Sequence, residues 1–304
     1  PYGYGYSGNV LSANFGQRPF TYTPPSGFVA LNTYNLPTPT ILQGNKYMDA
    51  TLYTGTGTDL VIVNQGQFKP DFVWTKCRSN AVDHCLVDAV RGGNKILYSD
   101  LTNAEDTSTF LSSFNSNGYT VSSSAGGGGI TSGRTYVGWQ WQAGQGSTSS
   151  NTSGSITSTV SVNTTAGFSV VTWTGNGGAS TIGHGLGIAP KFIIVRTRNY
   201  PNNWFCYHGS LANTEVMYLD TTGAKDTSRT DWNSTSPTSS VFSVNGSNTN
   251  RSAIDMVAYC WAEIAGFSKF GSYTGNGSND GVFVYCGFRP KFIMMKSSSS
   301  VSSW

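Results

Sequence analysis

Gly128-Gly129-Ile130-Thr131-Ser132-Gly133-Arg134-Thr135 is the stretch that comes nearest to known chemistry: two glycines separated by four residues, then a base and a Thr. A phosphate-binding loop of that form needs a Lys that reaches the phosphates and a helix whose N-terminus receives them. Here Arg134 stands in place of the Lys, and Tyr136 to Trp141 alternates like a strand, so the spacing predicts a hairpin loop. Three histidines, His84 beside Asp83, His184 and His208, are the candidates for proton transfer, and no Gly-x-Ser-x-Gly elbow accompanies them. Shifted by 120 residues along the chain, His84 falls opposite Trp204 and His208 opposite Asp88, so ordinary surface or half-buried histidines are expected. Glu105-Asp106 and Asn279-Asp280-Gly281 lack the dense oxygen spacing of a calcium loop and read as turns and caps. Cys77, Cys85, Cys206, Cys260 and Cys286 contain no Cys-x-x-Cys pair and read as buried free thiols of a protein assembled in a reducing cytoplasm. No catalytic, cofactor-binding or metal-ligating residue is assigned, and the expectation is a protein that is not an enzyme.

Aromatic residues offer a second kind of chemistry. Trp173, Trp204, Tyr207 and Trp232 could stack on sugars, since Trp and Tyr combine an apolar face with a polar edge. Trp204 recurs as Trp304 and Trp141 as Trp261, and recurrence favours packing in a core. Trp232 has no counterpart, which makes it, with Tyr207 and His208, the candidate contact for a glycan or receptor.

These residues are carried by an unusual chain. Only 11% of its 304 residues are charged, 37 are Gly and 13% are aromatic. Strong helix formers are scarce, so an all-β fold of short strands and turns is predicted, without a helix longer than about two turns. A net charge of +3 forms no basic stripe, which argues against nucleic acid, and no apolar run approaches the length of a membrane span. The chain opens at Pro1 in a Gly/Tyr run and stops at Trp304, and the expectation is a piece of a longer protein.

Internal repeats organise the sequence. Tyr53-Thr54-Gly55-Thr56-Gly57 returns as Trp173-Thr174-Gly175-Asn176-Gly177 and as Tyr273-Thr274-Gly275-Asn276-Gly277. Each copy is followed by a Pro and an apolar run ending in a base: Pro70 to Lys76, Pro190 to Arg196 and Pro290 to Lys296. The first two copies close alike, on Tyr136 to Trp141 and Met256 to Trp261. A unit of this length fits a small β-domain with its own core, so the copies are expected to be separate beads. The apolar run after each Pro suits a strand covered on both faces. The predicted architecture is a tandem of antiparallel β-sandwich modules, of jelly-roll or concanavalin-like form. Its boundaries are 37–52 as linker, 53–143 as repeat 1, 144–166 as a Gly/Ser/Thr-rich linker, 167–266 as repeat 2 and 267–304 as the start of repeat 3. Within the second linker, Ile156, Val160 and Val162 suggest that Thr157 to Val162 adds a strand to a sheet edge.

Two resemblances sharpen the reading. Asn14 to Phe20, Pro24 to Phe28 and Ala30 to Asn32 resemble the closing strands of a SPRY domain, here residues 1–36. Pro70 to Lys76, Asp88-Ala89-Val90-Arg91-Gly92 and Val137 to Trp141 resemble a repeated module of tail-fibre-like virion proteins from marine tailed phages. Repeat 2 departs from that pattern, carrying Lys191 after its Pro and no Asp-x-Val-Arg-Gly. The resemblance implies a virion protein that spaces or presents host-contact modules. Its partners would be further copies of itself, a trimer being one form, with other virion proteins and a host surface glycan. A capsid-surface decoration protein and a carbohydrate-binding module of a secreted protein are the alternatives.

Overall fold

The computed structural model describes residues 12–14, 16–26, 28–30 and 39–302. The chain divides into two compact units, Pro1–Pro39 and Thr40–Trp304. Among the described residues of the first unit no strand forms. The Asn14 side chain organises a tight turn there, accepting from Gly16 N at 3.0 Å and donating to Arg18 O at 3.1 Å. Phe15, Gly27, Leu31 and Asn32, which carry part of the SPRY resemblance, lie outside the described residues, as does Trp304, the proposed counterpart of Trp204.

The second unit is built from antiparallel strands. Repeat 1 contributes β1 (Met48–Thr54), β2 (Leu60–Val63), β3 (Phe72–Cys77), β4 (Cys85–Asp88), β5 (Lys95–Tyr98), β6 (Asp106–Thr107), β7 (Leu111–Asn115), β8 (Gly118–Val121) and β9 (Thr135–Trp141). Repeat 2 contributes β10 (Ser149–Asn151), β11 (Ser158–Asn163), β12 (Phe168–Thr174), β13 (Ser180–Gly183), β14 (Phe192–Thr197), β15 (Phe205–His208), β16 (Met217–Tyr218), β17 (Val241–Val244) and β18 (Asp255–Trp261). Each repeat pairs a wide sheet with a narrow one. The wide sheets run β1-β9-β3-β4-β5-β6 and β10-β11-β12-β18-β14-β15-β16; the narrow ones run β2-β8-β7 and β13-β17. The longest α-helix among the described residues is one turn, Gly246–Thr249.

The two repeats share pairing and register. The closing strand lies between β1 and β3 in repeat 1 and between β12 and β14 in repeat 2, with Phe72 opposite Trp141 in one and Phe192 opposite Trp261 in the other. Leu86 faces Leu97 as Cys206 faces Met217. Leu60 faces Val121 as Ser180 faces Val244. Pro70 and Pro190 each stand two residues before their strand, where no ladder bond requires a donor.

Alternation along the central strands decides where the cores sit. In β3, Val73 points into the sandwich of repeat 1 while Phe72 and Trp74 point out of it; in β14, Ile193 and Val195 point in while Phe192 and Ile194 point out. The outward residues are not exposed. They meet across a third core, shared by the wide sheets of both repeats, in which Phe72 stacks on Tyr259 at 4.1 Å between centroids and Trp141 meets its own counterpart Trp261 at 6.0 Å. The central strands are therefore covered on both faces, as their unbroken apolar runs predict, but the second cover is the neighbouring repeat. This corrects the expectation of separate beads.

The boundaries also move. β1 begins at Met48, so residues 48–52 belong to repeat 1 and not to a linker. In the second linker β11 pairs with β12, with Val160 opposite Val171, and β10 extends the same sheet. The strand expected over Thr157 to Val162 is therefore present, displaced by one residue.

Candidate functional site

The recurring Thr-Gly-x-Gly motif is where sequence and local geometry meet most directly. In repeat 1, Gly55 N donates to Arg134 O at 2.8 Å, Gly57 N to Ile130 O at 2.8 Å, and Gly133 N back to Gly55 O at 3.0 Å. In repeat 2, Gly175 N donates to Ile254 O at 2.9 Å, Gly177 N to Asn250 O at 2.7 Å, and Ala253 N to Gly175 O at 2.9 Å. A Cβ on Gly55 would lie 2.3 Å from Thr131 O, and one on Gly175 2.2 Å from Arg251 O, so only Gly permits the approach. The segment that resembled a phosphate loop is the receiving side of this lock. A 3-10 helix, Ser123–Gly128, precedes it and the strand β9 follows it, so no helix N-terminus faces the loop.

The junction between repeats holds the densest set of charged groups. Asp88 Oδ1 accepts from Val90 N at 3.1 Å and Arg91 N at 2.9 Å, closing a turn that folds Arg91 back onto Asp88 Oδ2. Arg91 also donates to Glu105 Oε2 at 3.0 Å and to Tyr259 Oη at 3.0 Å in repeat 2, while that hydroxyl donates to Asp88 Oδ2 at 2.8 Å. Arg198 closes the cluster with a two-point grip on Glu105, at 2.9 and 3.1 Å. Burial alone would depress the Arg91 pKa, but Asp88, Tyr259 and Glu105 outweigh it and raise it above its ordinary value. Burial would lift Glu105, yet its bonds to Arg198 and Arg91 hold it below the usual carboxylate range. The Tyr259 hydroxyl is pushed well up by burial. The cluster ties repeat 1 to repeat 2 through Arg91 and Asp88 on Tyr259 and through Glu105 on Arg198.

Repeat 2 performs the same turn with other chemistry. His208 stands where repeat 1 has Asp88, and its Nδ1 accepts from Ser210 N at 3.1 Å. Leu211 stands where Arg91 stood and packs on the shared core. His208 is half-buried against Phe192, and burial lowers its pKa. The other two proposed glycan contacts are enclosed: Trp232 is 1% exposed and Tyr207 6%, both inside the sandwich core of repeat 2, where their rings meet edge to face at 5.7 Å. Neither presents a stacking face. Trp232 sits in a loop by sequence, but that loop folds inward over the sheet, which composition alone does not reveal.

The remaining candidates have structural partners. His184 Nε2 lies 3.2 Å from Thr238 O, its Nδ1 accepts from Leu186 N at 3.2 Å, and burial lowers its pKa to about 4. Burial also lowers His84, whose backbone N donates to Asp100 at 3.0 Å. Cys77, Cys85, Cys206 and Cys260 are free and buried, and Cys286 is half-buried. Asp71, read from sequence only as part of a strand opening, accepts from the backbone N–H groups of Ala143, Gln145 and Gly146 at 2.6 to 2.8 Å and so anchors the second linker. Among the described residues there is no group of three or more His, Cys, Asp or Glu that could hold a metal ion, and no helix long and apolar enough to cross a membrane.

No curated protein and no solved structure matches the chain. One family does, over residues 43–304, a span that takes in both complete repeats, the linker between them and the start of the third. The chain belongs to DUF7483, described as a domain of unknown function.

Proposed function

We propose that this chain is a structural protein of a tailed-bacteriophage virion, a tail-fibre or surface-appendage subunit whose repeats hold host-contact parts at a set distance from the particle. The shared core carries the reading. A protein that must transmit position across several domains needs rigid junctions. Here two sandwiches are joined by stacked aromatics and a buried ion cluster instead of by a flexible tether. The phage-like motifs add support, because Asp88 and Arg91 of the Asp-x-Val-Arg-Gly element are the residues that set this junction.

Self-association fits the same role. Strands β1 and β2 are edges of their sheets in repeat 1, and Leu52, Val61 and Val63 on them are 61%, 58% and 44% exposed. Such an edge suits pairing with another copy or another virion protein. With Trp232 and Tyr207 enclosed, host glycan recognition falls to other parts of the appendage.

Labelling purified phage particles with antibody raised against residues 40–302, followed by electron microscopy, tests the reading. Label on tails or appendages is the expected result. Label on the capsid would favour a decoration protein, and absence of the chain from purified particles by mass spectrometry would overturn the proposal.

A further inference from the structure

The backbone joins one repeat to the next by a reciprocal clasp, and the clasp occurs twice. Between repeats 1 and 2, Asn202 N donates to Thr102 O at 3.0 Å and Glu105 N donates back to Arg198 O at 2.6 Å. Between repeats 2 and 3, Ser302 N donates to Thr222 O at 2.8 Å and Lys225 N donates back to Ser298 O at 3.1 Å. Thr222 and Lys225 are Thr102 and Glu105 moved on by 120 residues, while Ser298 and Ser302 are Arg198 and Asn202 moved on by 100, the two offsets of the repeats themselves. The base that ends each apolar run takes part as well: Arg196 Nη2 donates to Asn103 O at 2.5 Å and Lys296 Nζ to Thr221 O at 2.7 Å. A second contact runs in the same sense. Phe72 of repeat 1 lies against Tyr259 and Trp261 of repeat 2, at 4.1 and 6.3 Å between centroids. Phe292, its counterpart in repeat 3, lies against Trp139 and Trp141 of repeat 1, the counterparts of those two rings, at 5.6 and 5.5 Å. Lys291 Nζ adds a bond to Gln65 Oε1 of repeat 1 at 3.1 Å.

These contacts lead from repeat 1 to repeat 2, from 2 to 3 and from 3 back to 1. A head-to-tail contact is heterologous, and when its rotation returns to the starting module it closes a ring. Phe72, Phe192 and Phe292 accordingly meet in the one shared core. We infer that the clasp is a docking surface by which modules of this kind recognise one another, and that the three repeats of one chain step around a common pseudo-threefold axis. Its donor half is the loop after the fifth strand of one module; its acceptor half is the segment after the third strand of the next. Main-chain groups make the bonds, which is why Thr102 and Glu105 can become Thr222 and Lys225 without loss of the contact. A single chain then supplies internally what three copies supply in a homotrimer. This inference is separate from the virion reading and does not depend on it.

Cross-linking and amide exchange on the full chain test both parts. Gln65→Glu puts a carboxylate where Lys291 donates, so carbodiimide should join positions 65 and 291 within one chain, as peptide mapping of the monomer fraction would show. A link found only in covalent dimers would make the contact one between copies, and no link at all would leave repeat 3 unseated on repeat 1; either result overturns the ring. The amides of Glu105, Asn202, Lys225 and Ser302 lie outside the strands, yet each should exchange about tenfold or more slowly than exposed loop amides. Protection of Glu105 and Asn202 without Lys225 and Ser302 would mean that the clasp does not repeat. Phe292→Ala should speed exchange in β9 of repeat 1 by about tenfold, and an unchanged β9 would reduce the arrangement to an open row.

Discussion

Among the described residues no strand pairs with the outer edges of β1 and β2, whereas their counterparts β12 and β13 are covered by residues 149–163. β11 pairs along β12, Ile156 N donates to Thr181 O at 3.2 Å, and Asn151 crowds Gly183. The covering segment is mostly Ser, Thr, Gly and Asn and contributes few apolar side chains to any core. Edge protection is therefore a separable addition to this sandwich: main-chain bonds supply it, and the same registers persist with and without it. A similar separation holds after the fourth strand. Asp88 and His208 cap the same turn, but only Asp88 brings a charged network to the junction, and Leu211 replaces Arg91 with plain packing.

The largest effect should come from the shared core that both repeats need. Phe72→Ala, which removes a fully buried ring touching five other aromatics, is expected to cost about 4–5 kcal/mol by denaturant unfolding. It should raise amide exchange in both repeats, while Val73→Ala, directed into one sandwich, should raise it in repeat 1 alone. Exchange confined to repeat 1 in both variants would mean that the repeats are independent after all.

Next comes the ion cluster. Arg91→Leu leaves the buried Asp88 carboxylate without its cation and should cost about 3–4 kcal/mol. Adding Asp88→His copies the repeat 2 solution, removes the stranded charge and should recover part of that loss. If single and double variants unfold at the same denaturant concentration, the two turns are not equivalent.

Acid should separate the repeats at His184, which occupies the position of Asn64. With its folded pKa lowered to about 4 from an ordinary 6.5, the unfolded chain binds more protons between those values. Stability contributed by this site is full above pH 6.5 and falls as pH drops toward 4, by about 3 kcal/mol in all. His84 and His208, lowered by burial, act in the same direction, as does Glu105, which loses its contribution as pH falls through its depressed pKa. Asp71, raised by burial against three backbone donors, acts in the opposite one. His184→Asn should flatten the stability profile between pH 6.5 and 4; an unchanged profile would assign the acid sensitivity elsewhere.

The smallest effect concerns the open edge. Leu52→Thr and Val61→Thr should each change stability by no more than about 0.5 kcal/mol, because their side chains face solvent. Sedimentation should nevertheless show less self-association if copies meet there. Unchanged sedimentation together with unchanged stability would leave β1 and β2 as plain edges.

Composition and periodicity by themselves determined a good deal of this protein: an all-β chain, its repeats, the strands after Pro70 and Pro190, the added strand near Thr157 to Val162 and the core role of Trp141 and Trp204. Such signals are local or recur at a fixed offset, so they need no knowledge of what lies across a sheet. An unbroken run such as Phe192 to Val195 states that both faces of a strand are covered but not by what. Only the tertiary structure decided that the second cover is the neighbouring repeat. It alone brought Arg91 to Tyr259, 168 residues away, and Glu105 to Arg198, 93 residues away. It also turned Trp232 inward, because a loop residue's burial depends on the sheet the loop crosses, and that is set by how the chain closes and not by the residues beside it.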